Sequence, residues 1–318
     1  MLYDHTEEDA RRLAETAVVR GALATTITRS LGRNDDMETR IAGLFLTRRR
    51  HPSAPESFLY DPSLSLIAQG GKRVVLGNIT YRYNESRFLL TAVNLPTIAQ
   101  VVEASPERPY LAMFLRLDLA AAKQMITEID LADPDGQPDS AGMATGLATV
   151  ALCEAANRLV GLLETPLDIP VMADLVQREI LYRLLTGPAG SRLRQIVRLG
   201  TQGNRIARAI NWLRDNYVYP LRVDELAKVS GMGVSTLHHH FRQMTTMSPL
   251  QFQKHLRLHE ARRLMLSEDL DAGSAAVRVG YESATQFSRE YRRLFGAPPM
   301  RDVKSLRTLG VFDKAVPG

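Results

Sequence analysis

Two clusters of hydrogen-bonding side chains recur about 50 residues apart in the last third of this 318-residue chain. The first holds Ser235, His238, His239 and Arg242, and the second holds Thr285, Gln286, Ser288, Arg289 and Arg292. Hydroxyl, amide, imidazole and guanidinium groups can pair with base edges in a major groove, and arginines also pair with phosphates. Each cluster is interleaved with apolar residues at i, i+4 and i+7: Leu237, Phe241 and Met244, then Phe287, Tyr291 and Leu294. That spacing predicts a helix with one buried stripe and one free polar face. The run His238, His239, His240 invites a metal reading. Successive helical residues point about 100° apart, so the three rings cannot converge on one ion.

The elements that must hold these faces are written in the same order twice. A short helix with small apolar residues comes first, carrying Leu226 and Ala227 in one copy and Ala275 and Ala276 in the other. A glycine follows at the turn, Gly231 or Gly280, where a left-handed backbone is needed. Gly233 or Ser283 then opens the polar-faced helix as an N-cap, and a proline closes the unit. This is a helix-turn-helix, repeated. Any two packed helices can mimic a single copy, whereas a tandem is far more specific. A helix over about residues 250–266 would join the copies and run roughly 25 Å. Helices on such a strut suit successive major grooves about 34 Å apart.

The C-terminal third resembles the DNA-binding domain of the AraC/XylS family of bacterial transcription regulators. The resemblance is carried by Leu226-Ala227, Ser235-Thr236-Leu237, Phe241-Arg242, Ser248-Pro249 and Ala261-Arg262. It continues through Val279-Gly280-Tyr281, Ser283, Gln286-Phe287-Ser288-Arg289, Phe295-Gly296 and Pro298-Pro299. It covers about residues 204–307. Ala275-Ala276 departs from the usual bulky aliphatic followed by alanine, which implies looser packing there. Carried over residue by residue, the resemblance implies base reading by Ser235, His238 and His239 in the first unit. It implies the same for Thr285, Gln286, Ser288 and Arg289 in the second, with Arg242 and Arg292 on phosphates.

Charge agrees with that placement. Residues 205–307 hold 17 basic and 10 acidic residues, a net of +7, while the remainder is net −2. A basic excess confined to one module is the footprint of a nucleic-acid binder. The single cysteine, Cys153, supports no internal disulfide and fits a reducing cytoplasm. It sits among apolar residues, as a buried inert thiol would. No apolar run approaches the roughly 20 residues of a membrane span. The acidic N-terminus is unlike a secretory signal.

Residues 43–117 alternate short apolar runs with turn residues, which predicts antiparallel strands in a sandwich or barrel. Gly70-Gly71, Gly77-Asn78 and Asn84-Glu85 mark hairpins. This stretch resembles the cupin-like N-terminal domain of an AraC-type subfamily, through Leu59-Tyr60-Asp61-Pro62-Ser63-Leu64, Gln69-Gly70-Gly71-Lys72, Leu95-Pro96, Ala104-Ser105-Pro106 and Pro109-Tyr110. Metal-binding cupins need clustered histidines, yet only His5 and His51 precede residue 230. The expectation is therefore a pocket for a small-molecule effector, with no cofactor, no metal and no catalytic residue. Arg73, Tyr81, Tyr83, Arg87, Tyr110 and Arg116 are the candidate lining.

The fold class expected is α+β: a helical segment over 1–42, the cupin-like barrel over 43–117 and helices packing on it over 118–187. A linker over 188–203, the tandem-motif domain over 204–307 and a tail over 308–318 follow. ATGLATVALCEAANRLVGLLE is expected as one long helix. Double-stranded DNA and an effector are the expected partners, with no membrane. A homodimer through the apolar helices of 118–187 and a contact with RNA polymerase are further expectations. Two other readings stay open, a cupin-type binding protein or enzyme and an architectural DNA binder without effector.

Overall fold

In this computed structural model, residues 7–91, 93–129, 142–187, 190–197 and 202–308 are described. Ten strands account for the apolar runs: β1 (Asp36–Glu38), β2 (Leu44–Arg49), β3 (Glu56–Tyr60), β4 (Ser63–Gln69), β5 (Gly71–Leu76), β6 (Ile79–Asn84), β7 (Arg87–Thr91), β8 (Leu95–Glu103), β9 (Tyr110–Arg116) and β10 (Met143–Leu147). Of the three expected hairpins, only Gly77-Asn78 is one, joining β5 to its ladder partner β6 with Gly77 at φ +57°. Gly70-Gly71 and Asn84-Glu85 instead carry the chain from one sheet to the other, with Gly70 at φ +91°. Two antiparallel sheets result, ordered β1-β2-β9-β4-β7-β10 and β3-β8-β5-β6.

Alternation along each strand sorts the side chains onto two cores. Leu64, Leu66, Met113 and Leu115 face outward under helix α1 (Glu7–Leu31), against Leu23 and Ile27. Ile67, Ala112 and Phe114 face inward, against Val74, Leu76 and Ala99 of the second sheet. The barrel expected from the sequence is an open sandwich, since among the described residues no ladder joins the two sheets. Each sheet has its own cover, α1 on one outer face and the C-terminal half on the other. Closure is not needed to bury the apolar area.

Helices α2 (Leu119–Glu128), α3 (Val150–Gly161), α4 (Ile169–Thr186) and α5 (Gly190–Val197) complete this half. One difference from the expected helices is physical. Residues Met143–Leu147 pair with β7, and the helix begins only after Thr149, whose side chain caps Leu152 N–H. Gly146 permits this pairing, because a Cβ there would stand 2.3 Å from Phe88 Cζ. Likewise β1 lies inside the N-terminal segment expected as helical, and α5 lies inside the stretch expected as linker, with Leu193 fully buried. The stretch DPDGQPDSAG, whose prolines and glycines mark it as a loop in the sequence, lies, but for Gly142, outside the described residues.

The C-terminal half consists of α6 (Gln202–Asp215), α7 (Val223–Ser230), α8 (Val234–Thr245), α9 (Pro249–Ser267), α10 (Ala272–Arg278), α11 (Ala284–Phe295) and α12 (Pro299–Thr308). Local rules set the boundaries. Gly231 ends α7 at φ +65°, Ser248 and Gln251 form a capping box on α9, and Asp271 and Ser283 cap α10 and α11. Gly280 turns α10 into α11 at φ +87°, where a Cβ would meet Val218 O at 2.1 Å.

Candidate nucleic-acid interface and the sandwich interior

Helices α8 and α11 bury the expected stripes. Leu237, Phe241, Phe287 and Tyr291 are fully buried, while Met244 and Leu294 are half-buried. The opposite faces are open. Ser235, His238, His239 and Arg242 are exposed on α8, and Thr285, Gln286, Arg289 and Arg292 are exposed on α11. Ser288 is half-buried. Of the three histidines, His240 turns aside, its Nδ1 3.0 Å from Gln243 Oε1. Gln286 is partly oriented, because its Nε2 donates to Glu290 Oε1 at 3.2 Å. Glu290 also accepts from Lys254 Nζ at 2.7 Å and Tyr281 Oη at 2.8 Å. The side chain that would read a base is thereby tied to the strut α9.

Arg257, in the middle of α9, fixes the second motif to the loop that leads into the first. Its guanidinium donates to Tyr217 O at 2.7 Å, Gly280 O at 2.8 Å and Val218 O at 3.0 Å. It thus joins the loop after α6 to the turn of the second motif. Arg262 and Asp302 pair through two contacts of 2.8 and 3.0 Å, and Tyr291 Oη donates to the same carboxylate at 2.7 Å. Ala275 and Ala276, where the sequence departs from its pattern, are 0% and 1% exposed against α9. Small residues there bring the helices close rather than leaving a gap.

The six residues proposed to line an effector pocket divide. Tyr83 and Tyr110 lie in the sandwich interior, and Tyr81 packs against its edge with Oη donating to Met143 O at 3.2 Å. Arg73 is on the other face of β5, donating to Gln100 Oε1 at 2.6 Å. Arg87 reaches Thr145 Oγ1 at 3.3 Å across the β7–β10 ladder. Arg116 is exposed, 3.6 Å from Asp61 Oδ2.

The interior also holds two polar residues that sequence reasoning did not single out. Lys72 is 5% exposed, with Nζ 4.9 Å from the Phe114 ring centre, 5.6 Å from Tyr60 and 6.0 Å from Phe58. Burial, reinforced by Arg49, lowers its pKa to about 7, against the opposing pull of Glu56 and Asp36. Tyr60 and Tyr110 are each 1% exposed, and among the described residues neither hydroxyl has a hydrogen-bond partner. Burial raises the pKa of both phenols. Tyr83 Oη, by contrast, is satisfied 2.9 Å from Ser65 Oγ. The signal was present in the sequence as Lys72-x-Val74-x-Leu76, a lysine in phase with two aliphatics.

A cleft of about 280 Å³ separates the outer face of the four-stranded sheet from the turn after α8, the strut α9 and Leu294 of α11. Ser57, Val75 and Ile98 line one wall, and Thr246, Gln251 and His255 line the other. Beside it Gly142 N donates to Met244 O at 2.7 Å, and Arg214 reaches Asn94 Oδ1 at 3.3 Å.

Comparison with known proteins agrees with this division. Residues 40–192 match the family model described as the AraC-type transcriptional regulator N-terminus, and residues 226–304 match a helix-turn-helix domain. The chain is similar to the HTH-type transcriptional activator RhaS of Escherichia coli strain SE11, at 30% identity over 141 residues. That match takes in 44% of this chain and 49% of the relative, so it spans about half of that relative's length. RhaS of strain SMS-3-5 is 24% identical over 232 residues, covering 73% of this chain and 77% of that one. Among solved structures, an apo variant of ToxT from Vibrio cholerae shares the fold with a TM-score of 0.57 at 8% identity. That likeness covers 83% of this chain and 97% of ToxT. A ToxT structure described as bound to unsaturated fatty acid has a TM-score of 0.55 at 11% identity, covering 87% of this chain and 100% of that one.

Proposed function

This chain belongs to the AraC/XylS family of transcription regulators, and from that premise we propose that it binds double-stranded DNA in a sequence-specific way under the control of a small molecule held in the N-terminal sandwich. The observation that carries this reading is the pair of open polar faces on α8 and α11, fastened to one strut. In it, Ser235, His238 and His239 read one segment of the duplex, and Thr285, Gln286, Ser288 and Arg289 read a second. Gln286 suits adenine and Arg289 suits guanine. Arg242 and Arg292 set register on phosphates without reading sequence. The domain limits expected from the sequence are kept in outline, with β1 and β10 added to the sandwich and the described part of the linker helical.

Control by a ligand is supported by shared strands. β3, β5 and β8 present one face to the sandwich interior and the other to the cleft against the α8–α9 turn, α9 and α11. A ligand that repacks the interior acts on the surface against which the strut and its two motifs rest. Homodimerisation is supported by an apolar stripe beginning just before α4: Leu167, Val171 and Leu175 are 95%, 66% and 54% exposed. Contact with RNA polymerase belongs to the same reading, and in-vitro transcription would report it. The reading contains no enzymatic step, and a DNA target implies a cytoplasmic protein. No described helix is long and apolar enough to cross a membrane.

Anisotropy titration of the full chain against fragments upstream of its own gene tests the proposal. His239→Ala and Arg289→Ala should each weaken specific binding by about 1–3 kcal/mol and relax preference at one position. Arg242→Ala should weaken all sequences alike and reduce the salt slope by about 1. Unchanged affinity and preference in the His239 and Arg289 variants would remove those faces from the interface.

A further inference from the structure

The polar group inside the sandwich has no part in reading DNA. Lys72 presents three N–H donors, yet its described neighbours are rings, which offset part of the cost of burying a charge but supply no acceptor oxygen. Two phenol hydroxyls of the same core, on Tyr60, whose ring faces Lys72, and on Tyr110, which acts electrostatically on Tyr60, are buried and without a partner among the described residues. Buried hydroxyls are ordinarily satisfied, so two orphans in one core point to a ligand that completes them. The group comes from both sheets: Tyr60 and Lys72 from β3 and β5, Tyr110 from β9. Every unsatisfied atom in it can donate. What such a group lacks is an acceptor carrying negative charge, with an apolar body to lie against Phe58 and Phe114.

We propose that the sandwich interior binds a small organic monocarboxylate, its carboxylate held by Lys72 Nζ and the hydroxyls of Tyr60 and Tyr110. This rests on the reading of the sandwich as the effector-binding half and gives that effector a chemical class. One lysine balances one negative charge. A polyphosphate would need several cations converging on it, and a metal ion would meet an ammonium and two phenols. The site is also coupled to the cleft, because β5 carries Lys72 on its inner face and Val75 on its outer face against the first motif.

The charged and titratable groups around Lys72 are Arg49 of β2, Glu56 of β3 and Asp36 of β1, with Tyr60, Tyr83 and Tyr110 nearby. In the free protein the amine is half neutral near pH 7. A bound carboxylate favours the ammonium, so binding takes up a proton above that pH. Affinity for the acid therefore falls by about tenfold per pH unit as pH rises beyond 7.

The test is calorimetric titration of the full chain with acetate, hexanoate and benzoate, each beside its neutral amide. All three acids are fully ionised between about pH 6.5 and 8.5. The expected result is that at least one acid binds and its amide does not. Its affinity should drop across that pH range, vanish in Lys72→Met and weaken by about tenfold in Tyr60→Phe/Tyr110→Phe. The proposal is overturned if no acid binds, if acid and amide bind alike, or if Lys72→Met retains the acid. Tyr60→Phe/Tyr110→Phe and the pH profile keep it testable should Lys72→Met not fold. Anisotropy on DNA with and without the acid separates the two readings. Binding that depends on Lys72 but leaves DNA affinity unchanged keeps the site and removes its role as effector pocket. Control of DNA binding by another metabolite, unaffected by Lys72→Met, keeps the effector reading and removes this site.

Discussion

The two helix-turn-helix units have the same parts in the same order, but only the first is joined to the sandwich by its core. Leu226, Leu237, Phe241 and Phe252 belong to an apolar cluster that continues into the sandwich interior through Met143 and Leu95. The second unit closes on itself around Ala261, Ala276, Phe287 and Tyr291, and meets the sandwich where α11 packs on β3. A change in the sandwich reaches the first unit through a shared apolar core. It reaches the second through the narrower contact of α11 with β3 and through α9. The first unit is the more broadly coupled of the two.

Glycine substitution breaks this comparison hardest. Gly280→Ala should cost on the order of 3 kcal/mol or more, because a positive φ and the clash with Val218 O must both be relieved. Gly231→Ala, with only Arg208 Nη2 at 3.8 Å, should cost about 1 kcal/mol, the strain of a left-handed alanine. Thermal melts of both variants would show it, and equal losses would mean that the two turns are held alike.

Acid probes the strut that both units share. Burial, with Arg293 adding to it, lowers His255 to about 4. Burial, followed by His255 and Arg262, lowers His259 to about 3. Both folded values lie below the unfolded one, so the unfolded chain takes up protons first as pH falls. Stability is present above about pH 6.5 and is lost toward pH 4, on the order of 2 kcal/mol per histidine by pH 5. His259 packs edge-on to Phe295 at 5.4 Å, with Nε2 unmatched. His259→Phe should therefore flatten the pH profile, and an unaltered slope between pH 7 and 5 would place the acid sensitivity elsewhere. The smallest effect belongs to Arg214→Ala, which removes the 3.3 Å contact to Asn94. It should change global stability by about 0.5 kcal/mol. It should raise hydrogen exchange in α6 and α8 and leave α11 alone.

Legibility followed the range of the interactions. The tandem units were legible because capping, glycine turns and i, i+4, i+7 stripes are local, and each appears within a dozen residues. The placement of Ser235, His239, Gln286 and Arg289 on open faces came from the same periodicity. The sandwich was legible as strands and one hairpin but not as a site. Sequence reasoning singled out Arg73 and Arg87 and not Lys72, although its phase with Val74 and Leu76 marks it as inward; that this face of β5 is the interior one was decided by the packing of the two sheets. β10 was misread as helix because its partner, β7, lies more than 50 residues earlier in the chain.

The sequence by itself determined the order of elements, the two polar helix faces, the basic character of the C-terminal third and the presence of a β-rich half. These depend on neighbours along the chain and on charge, which adds without regard to folding. The tertiary structure alone decided that the first unit shares a core with the sandwich and that Arg257 ties the second unit to the loop before the first. It alone set Lys72 against Tyr60 in a core that also holds Tyr110. Those facts join residues dozens of positions apart, and no local spacing records which distant strand will lie beside which.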